Sequence, residues 1–141
     1  MRSFLFVPAD SERKLAKGPA SGPDGLILDL EDSVSHHAKA EARTHVATAL
    51  RAATERLTFV RINHPDLGML KEDLGVLAPH AMQVVLLPKA ESKSQLAEIE
   101  SKLQRPVWII PMIESAQGID QMKDIASHPS VVRLTLGNID L

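Results

Sequence analysis

The 141-residue sequence contains no cysteine. Disulfides, thiolate metal sites and a cysteine nucleophile are therefore excluded, and the composition fits a cytoplasmic protein. Aromatic residues are scarce: Phe4, Phe6, Phe59 and Trp108 are the full set. Four rings are too few for a base-stacking surface. Neither sign of charge dominates, with a formal net charge of −2 and a sequence pI of about 6.3. That balance argues against a general nucleic-acid or membrane-surface role. No apolar run approaches the roughly 18 residues that would span a bilayer. The apolar start at residues 3–7 is too short for a secretory signal, and Asp10 follows at once. No Gly-x-Gly-x-x-Gly, P-loop or Gly-x-Ser-x-Gly pattern occurs.

What is present is a rhythm. The chain is 44% hydrophobic, enough to build the core of one ordinary domain. Short apolar runs alternate with helical patterns of about ten to fifteen residues, the signature of a parallel α/β sheet. Strands are expected over residues 3–7, 25–30, 59–63, 84–87, 107–114 and 131–137. The spacing of Ala38, Ala42, Val46, Leu50 and Ala53 predicts one helix, with Lys39, Arg43 and Arg51 off the apolar stripe. Leu67, Leu70, Leu74 and Leu77 predict another, and Ile119, Met122, Ile125 and Ala126 a third. Ser35 is a candidate helix cap, and Ser92 with Gln95 makes a capping-box pattern. Six βα-type strands without an obvious edge strand amount to most of a (β/α)₈ barrel, which usually needs about 250 residues. The chain ends where a sixth helix should begin. Either the sheet stays open or the chain is a fragment; the ending supports the second, so residues 1–141 are expected to form the N-terminal portion of such a barrel, about six of its eight units, as a single domain.

The stretch at residues 107–114 carries one charge, and it is the last residue, Glu114. A second stretch, residues 131–140, ends on Asp140. Carboxylates at the C-terminal ends of buried parallel strands sit where α/β proteins build their sites. Glu114 and Asp140 are read as two oxygen ligands for one hard divalent cation, and two carboxylates plus water and substrate oxygens suit Mg²⁺. The alternative is that either acid caps the helix after it. Arg61 ends a strand beside Asn63, which shares its face by the strand period of two. Its guanidinium can clamp a carboxylate with two parallel bonds, or pair with a nearby strand-end acid. Asp29, Glu31 and Asp32 crowd one strand end, either holding metal-bound waters or forming a charged junction. His36, His37, His45, His80 and His128 are read as surface residues, and His64 as a turn residue. Lys89 follows a strand and is read as a surface or phosphate-contacting lysine rather than a Schiff-base lysine.

Six segments extend the pattern: residues 2–10 (Arg-Ser-Phe-Leu-Phe-Val-Pro-Ala-Asp), 28–34 (Leu-Asp-Leu-Glu-Asp-Ser-Val) followed by Lys39, Ala42 and Arg43, 60–63 (Val-Arg-Ile-Asn), 87–92 (Leu-Pro-Lys-Ala-Glu-Ser), 113–116 (Ile-Glu-Ser-Ala) and 136–141 (Leu-Gly-Asn-Ile-Asp-Leu). As an ordered set they resemble the citrate lyase beta-subunit family of CoA-ester lyases, within the superfamily that includes metal-dependent 2-keto acid aldolases. The resemblance covers essentially the whole chain. It implies a TIM-barrel lyase that uses Mg²⁺, in which Arg61 grips a keto-acid carboxylate. Glu114 would ligate the metal and touch substrate, Asp140 would be the second ligand, and Glu31 and Asp32 would hold metal waters. It implies cleavage or formation of a carbon–carbon bond in a short-chain hydroxyacyl-CoA thioester of the citryl-, citramalyl- or malyl-CoA type. The partners implied are an acyl-CoA and a 2-keto acid (oxaloacetate, pyruvate or glyoxylate), in a homo-oligomer such as a trimer or hexamer. The sequence departs from the pattern at Pro19 and Pro23, and at Asn138-Ile139. The last two barrel strands, and the C-terminal segment that supplies a catalytic acid in several relatives, are not among the 141 residues. The alternative function is a catalytically incomplete or oligomer-forming relative.

Overall fold

The computed structural model of the chain describes residues 2–52, 57–77 and 84–137. Among them run strands β1 (Phe4–Pro8), β2 (Gly25–Asp29), β3 (Leu57–Arg61), β4 (Val84–Leu87), β5 (Trp108–Ile113) and β6 (Thr135–Leu136). The helices between them are α1 (Glu12–Lys17), α2 (Lys39–Ala52), α3 (Leu70–Leu77), α4 (Lys93–Leu103) and α5 (Ala116–Ala126). All strand pairings are parallel, and the strands lie in the sheet in chain order, β1 through β6. A doubly wound sheet would reverse its strand order at some point. Here the order never reverses, so successive units curl the same way into a half-barrel of TIM type.

The sheet has two apolar faces, and the alternation along each strand sorts residues between them. Leu26 and Leu28 of β2, Val60 of β3, Val85 and Leu87 of β4, and Ile109 and Ile113 of β5 face the helices. They pack with Ala42, Val46 and Leu50 of α2, Leu74 and Leu77 of α3, Leu96 and Ile99 of α4, and Ile125 of α5. Burying each large aliphatic side chain this fully is worth about 1.5–3 kcal/mol. The intervening residues Ile27, Phe59, Leu86 and Met112 form a second cluster on the inner face, with Phe4, Val84 and Ile110 packed against it. Phe4 and Phe59 meet edge to face at 5.1 Å. Gly25 makes room for them, because a Cβ there would lie 2.9 Å from the Phe4 ring and 3.0 Å from that of Phe59.

Helix starts follow the sequence signals. Ser115 accepts the Gly118 N–H at 3.1 Å. Gln95 closes the capping box by accepting the N–H groups of Glu91 and Ser92. Other expectations shift. Ser35 makes no side-chain cap and precedes a 3₁₀ turn, His36–Ala38, that leads into α2. Lys39 lies not off the stripe but buried, at 8% exposure. β3 ends at Arg61, two residues early, so the strand period no longer orients Asn63. Leu67 is exposed because α3 begins only at Leu70. Ile119 and Met122 are exposed on α5, where Ile125 supplies the buried contact. Trp108 is also exposed, at the N-terminal end of β5.

Candidate active site at the strand ends

The strand alternation that places Ile27, Phe59 and Met112 on the inner face puts Asp29, Arg61 and Glu114 there two residues later. These three, with Asp32 and Ser33, line the mouth of an inner cavity of about 800 Å³ whose floor is Phe4, Phe6, Ile27, Phe59, Leu86 and Met112. Asp29 is 1% exposed. Its Oδ1 and Oδ2 accept Arg61 Nε and Nη2, both at 2.7 Å. Oδ1 also accepts the Glu31 N–H at 2.9 Å, and Oδ2 the Ser33 N–H at 3.3 Å and the Ser33 hydroxyl. Burial pushes the Asp29 carboxyl up, but the Arg61 fork and the Ser33 and Glu31 donors outweigh it and hold the group below the usual carboxylate range.

Arg61 is therefore engaged before any ligand arrives, and the ion-pair alternative raised for it is realised with Asp29. Its Nη1 lies 3.0 Å from Glu31 Oε2, and its guanidinium carbon stands 4.9 Å from the centre of the Phe6 ring. Burial lowers the guanidinium pKa, but Asp29 and Glu31 more than reverse this. Glu31 is 4% exposed and responds the other way. Burial raises its carboxyl; Arg61 opposes this, Asp32 adds to it, and Lys89 opposes it. Glu31 Oε2 accepts no hydrogen bond, although it is buried. Beneath the β2–α2 loop, the Lys39 ammonium donates to the carbonyls of Leu30 and Glu31, both at 2.6 Å. Burial lowers its pKa against the pull of the surrounding carboxylates.

Glu114 is 5% exposed, and its Oε2 accepts the Lys89 N–H at 2.9 Å. The Lys89 ammonium reaches across to Glu31 Oε1 at 3.4 Å and Asp32 Oδ2 at 3.9 Å. Gly137 lies against Glu114: a Cβ there would stand 2.3 Å from Oε1, so a side chain at this position would displace the Glu114 carboxylate. Asp140, the other predicted ligand, lies outside the described residues. Among those described, no three His, Asp or Glu side chains converge as a metal site. The donors present still fit a hard cation: Glu114 is a buried carboxylate held through one oxygen by a main-chain N–H, with its other oxygen against the bare Gly137.

Asn63 is not brought to this cluster. With β3 ended, its N–H and side-chain amide both donate to Asp73 Oδ2 at 2.8 Å. Lys89 and Lys39, by contrast, join the cluster without any sequence pattern that marks them as parts of it. The one available signal for Lys89 was its place at the end of β4, between the strands that carry Arg61 and Glu114. His36 and His37 are exposed as expected. His45 is not: its Nδ1 is hydrogen-bonded to the Ala9 carbonyl at 2.9 Å. His128 is only 13% exposed beside Glu100, His64 pairs with Gln95, and His80 lies outside the described residues. No helix among the described residues is long and apolar enough to cross a membrane.

A family model described as HpcH/HpaI aldolase/citrate lyase matches residues 2–141. A (3S)-malyl-CoA thioesterase of Cereibacter sphaeroides is 34% identical over 143 residues, covering 99% of this chain and 50% of that protein. A citrate lyase beta subunit from Mycobacterium tuberculosis, complexed with oxaloacetate and magnesium, superposes with a TM-score of 0.81 at 37% identity, covering 98% of this chain and 58% of that one. The protein CitE from the same organism, in complex with magnesium, acetoacetate and coenzyme A, gives a TM-score of 0.84 at 36% identity, covering 98% and 49%. The chain thus spans about half the length of the curated relatives it matches.

Proposed function

The chain belongs to the HpcH/HpaI aldolase/citrate lyase family, and from that premise we propose that it is the N-terminal portion of a Mg²⁺-dependent carbon–carbon lyase. Its substrate is a short-chain hydroxyacyl-CoA thioester of the citryl-, citramalyl- or malyl-CoA type. Its products, or its substrates in the reverse direction, are a 2-keto acid and an acyl-CoA. The observation that supports this most directly is the inner-face set of Asp29, Arg61 and Glu114 at three strand ends above one apolar cavity.

In this reading Glu114 and Asp140 hold the cation, and Glu31 and Asp32 hold its waters. A bound Mg²⁺ supplies Lewis acidity toward the keto oxygen. Arg61 binds the keto-acid carboxylate through the N–H groups left after its two bonds to Asp29, which fix the plane of the guanidinium, and its pairing with Glu31. The apolar floor under these groups lowers the local dielectric and strengthens each charge interaction above it. The Lys89 N–H aims the Glu114 carboxylate.

Calorimetric titration of the protein with Mg²⁺ in the presence of pyruvate tests this. The wild type should bind, and Glu114→Ala should bind more than about 100-fold less tightly, since even outer partners of a metal site are worth about 10–100-fold. Equal binding by both proteins would reject Glu114 as a ligand. A wild type that binds neither ion nor keto acid would favour a catalytically incomplete, oligomer-forming relative. Thioester hydrolysis is a second reading, favoured by the 34% identity to a malyl-CoA thioesterase. It is separated by product: free CoA thiol and a hydroxy acid, rather than an acyl-CoA and a keto acid.

A further inference from the structure

Lys89 is one of two described non-glycine residues with positive φ, at 46°. A side chain in that region is disfavoured by roughly 1 kcal/mol or more, and glycine would occupy it without strain. The conformation has a use: it turns the Lys89 N–H onto Glu114 Oε2 at 2.9 Å. Glycine would do that equally well. The chain nevertheless carries a lysine there, and its ammonium crosses to the β2 loop, 3.4 Å from Glu31 and 3.9 Å from Asp32. The two halves of one residue thus act on two different strand ends. Its main chain holds the candidate ligand just after β5, and its side chain offsets the acids after β2.

We propose that Lys89 is a positioning residue that sets the charge of this site. Its ammonium weakens the hold on the cation and strengthens the hold on an anionic substrate. The inference rests on the divalent-cation reading given above. Asp29, Asp32 and Glu114 line the cavity with Arg61 and Arg133; Glu31 pairs with Arg61 and Lys89 beside it, and Lys39 lies beneath the loop. Removing one positive charge a few ångströms from the cation site makes that site more negative. At protein-like dielectric and physiological salt, the change is expected to move a neighbouring ion's affinity about fivefold. The direction is opposite for a cation and an anion.

Lys89→Gly isolates the ammonium, because it retains the N–H and relieves the backbone. It should unfold no earlier than the wild type. It should bind Mn²⁺ about fivefold more tightly, by electron paramagnetic resonance, and bind pyruvate about fivefold more weakly in saturating Mn²⁺. Lys89→Arg should restore both affinities toward wild type. Unchanged affinities in Lys89→Gly would overturn the proposal, as would weakening of both ligands together with a lower Tm, the mark of a purely structural lysine. If the wild type itself binds no Mn²⁺, the cation reading falls and this inference falls with it. That result differs from a wild type that binds while the variant matches it.

Discussion

Two buried Asp–Arg pairs in this molecule are built almost alike. At the cavity mouth Arg61 Nε meets Asp29 Oδ1 at 2.7 Å; between the helices Arg43 Nε meets Asp73 Oδ1 at the same distance. Each aspartate also accepts main-chain and side-chain donors, from Glu31 and Ser33 in one case and from Asn63 in the other. The carboxylates are 1% and 0% exposed. What separates them is the side of the sheet. Asp29 follows the inward-facing Ile27 and opens on the cavity beside Glu31 and Glu114. Asp73 lies on α3, facing α2 and the segment after β3, and is not among the cavity's lining residues. A buried, charge-paired carboxylate is therefore a poor marker of function by itself. The marker here is the same pair standing where an apolar strand face gives way to a polar rim.

The largest difference should come from deleting the sealed aspartate. Asp73→Ala leaves the Arg43 guanidinium and the Asn63 amide buried without their acceptor. Removing one partner of a buried pair costs about 3–5 kcal/mol. Urea unfolding should register that loss, while Mn²⁺ affinity of the folded fraction stays at the wild-type value. A variant that lost cation binding but kept its stability would abolish the distinction drawn between the two pairs.

Asp29→Asn should divide its effect differently. Asparagine keeps the shape but offers Arg61 one acceptor oxygen instead of a charged fork. The stability loss should be about 1–3 kcal/mol, with pyruvate affinity falling about tenfold as the guanidinium loses its plane. Acid unfolding gives a second handle. The folded pKa of Asp29 lies below its ordinary value of 3.8. Its stabilisation is therefore present above that value and is lost as pH falls through the lowered one. The wild type should lose stability on acidification below about pH 4, and Asp29→Asn should lose less there. Parallel acid limbs in the two proteins would mean that the Arg61 fork adds nothing to folding.

The sequence made one of these pairs legible and hid the other, for a physical reason. Residues 25–28, 59–60 and 107–113 run apolar until a charged residue (Asp29, Arg61 and Glu114), so strand, face and terminus can be counted along the chain. That count brings Arg61 and Glu114 to strand ends on the cavity side, where the structure has them, and the ordered βα rhythm accounts for the barrel-type sheet. Asn63 departs from the expectation because β3 ends at Arg61, two residues before the strand period would reach it. Asp73 was not found at all, since an acid in the first turn of a helix resembles an ordinary dipole-complementing residue. Lys39 and Lys89 escaped for a different reason. A lysine's reach exceeds its strand or helix period, so its partners, the Leu30 and Glu31 carbonyls or the acids across the mouth, depend on tertiary geometry. The αL turn at Lys89 carries no glycine to announce it.

The smallest effect expected is also the sharpest test of what the cavity does to charge. Glu31 sits among the same groups as Asp29, yet its carboxyl is raised above 4.5, because burial and Asp32 outweigh Arg61 and Lys89. The folded state then holds the proton more tightly than the unfolded chain. Stability from this group is full below its ordinary value and declines as pH rises through the folded one, opposite in sign to Asp29. Glu31→Gln removes that decline. At neutral pH its unfolding free energy should match or exceed the wild type's by under about 1 kcal/mol, even though two ion pairs are gone. A clear destabilisation at pH 7 would mean that Arg61 and Lys89 hold Glu31 as firmly as Arg61 holds Asp29. In the proposed cation reading, Glu31 would then be fully offset by its two cations, and the pull on the ion would rest on Glu114 and Asp140.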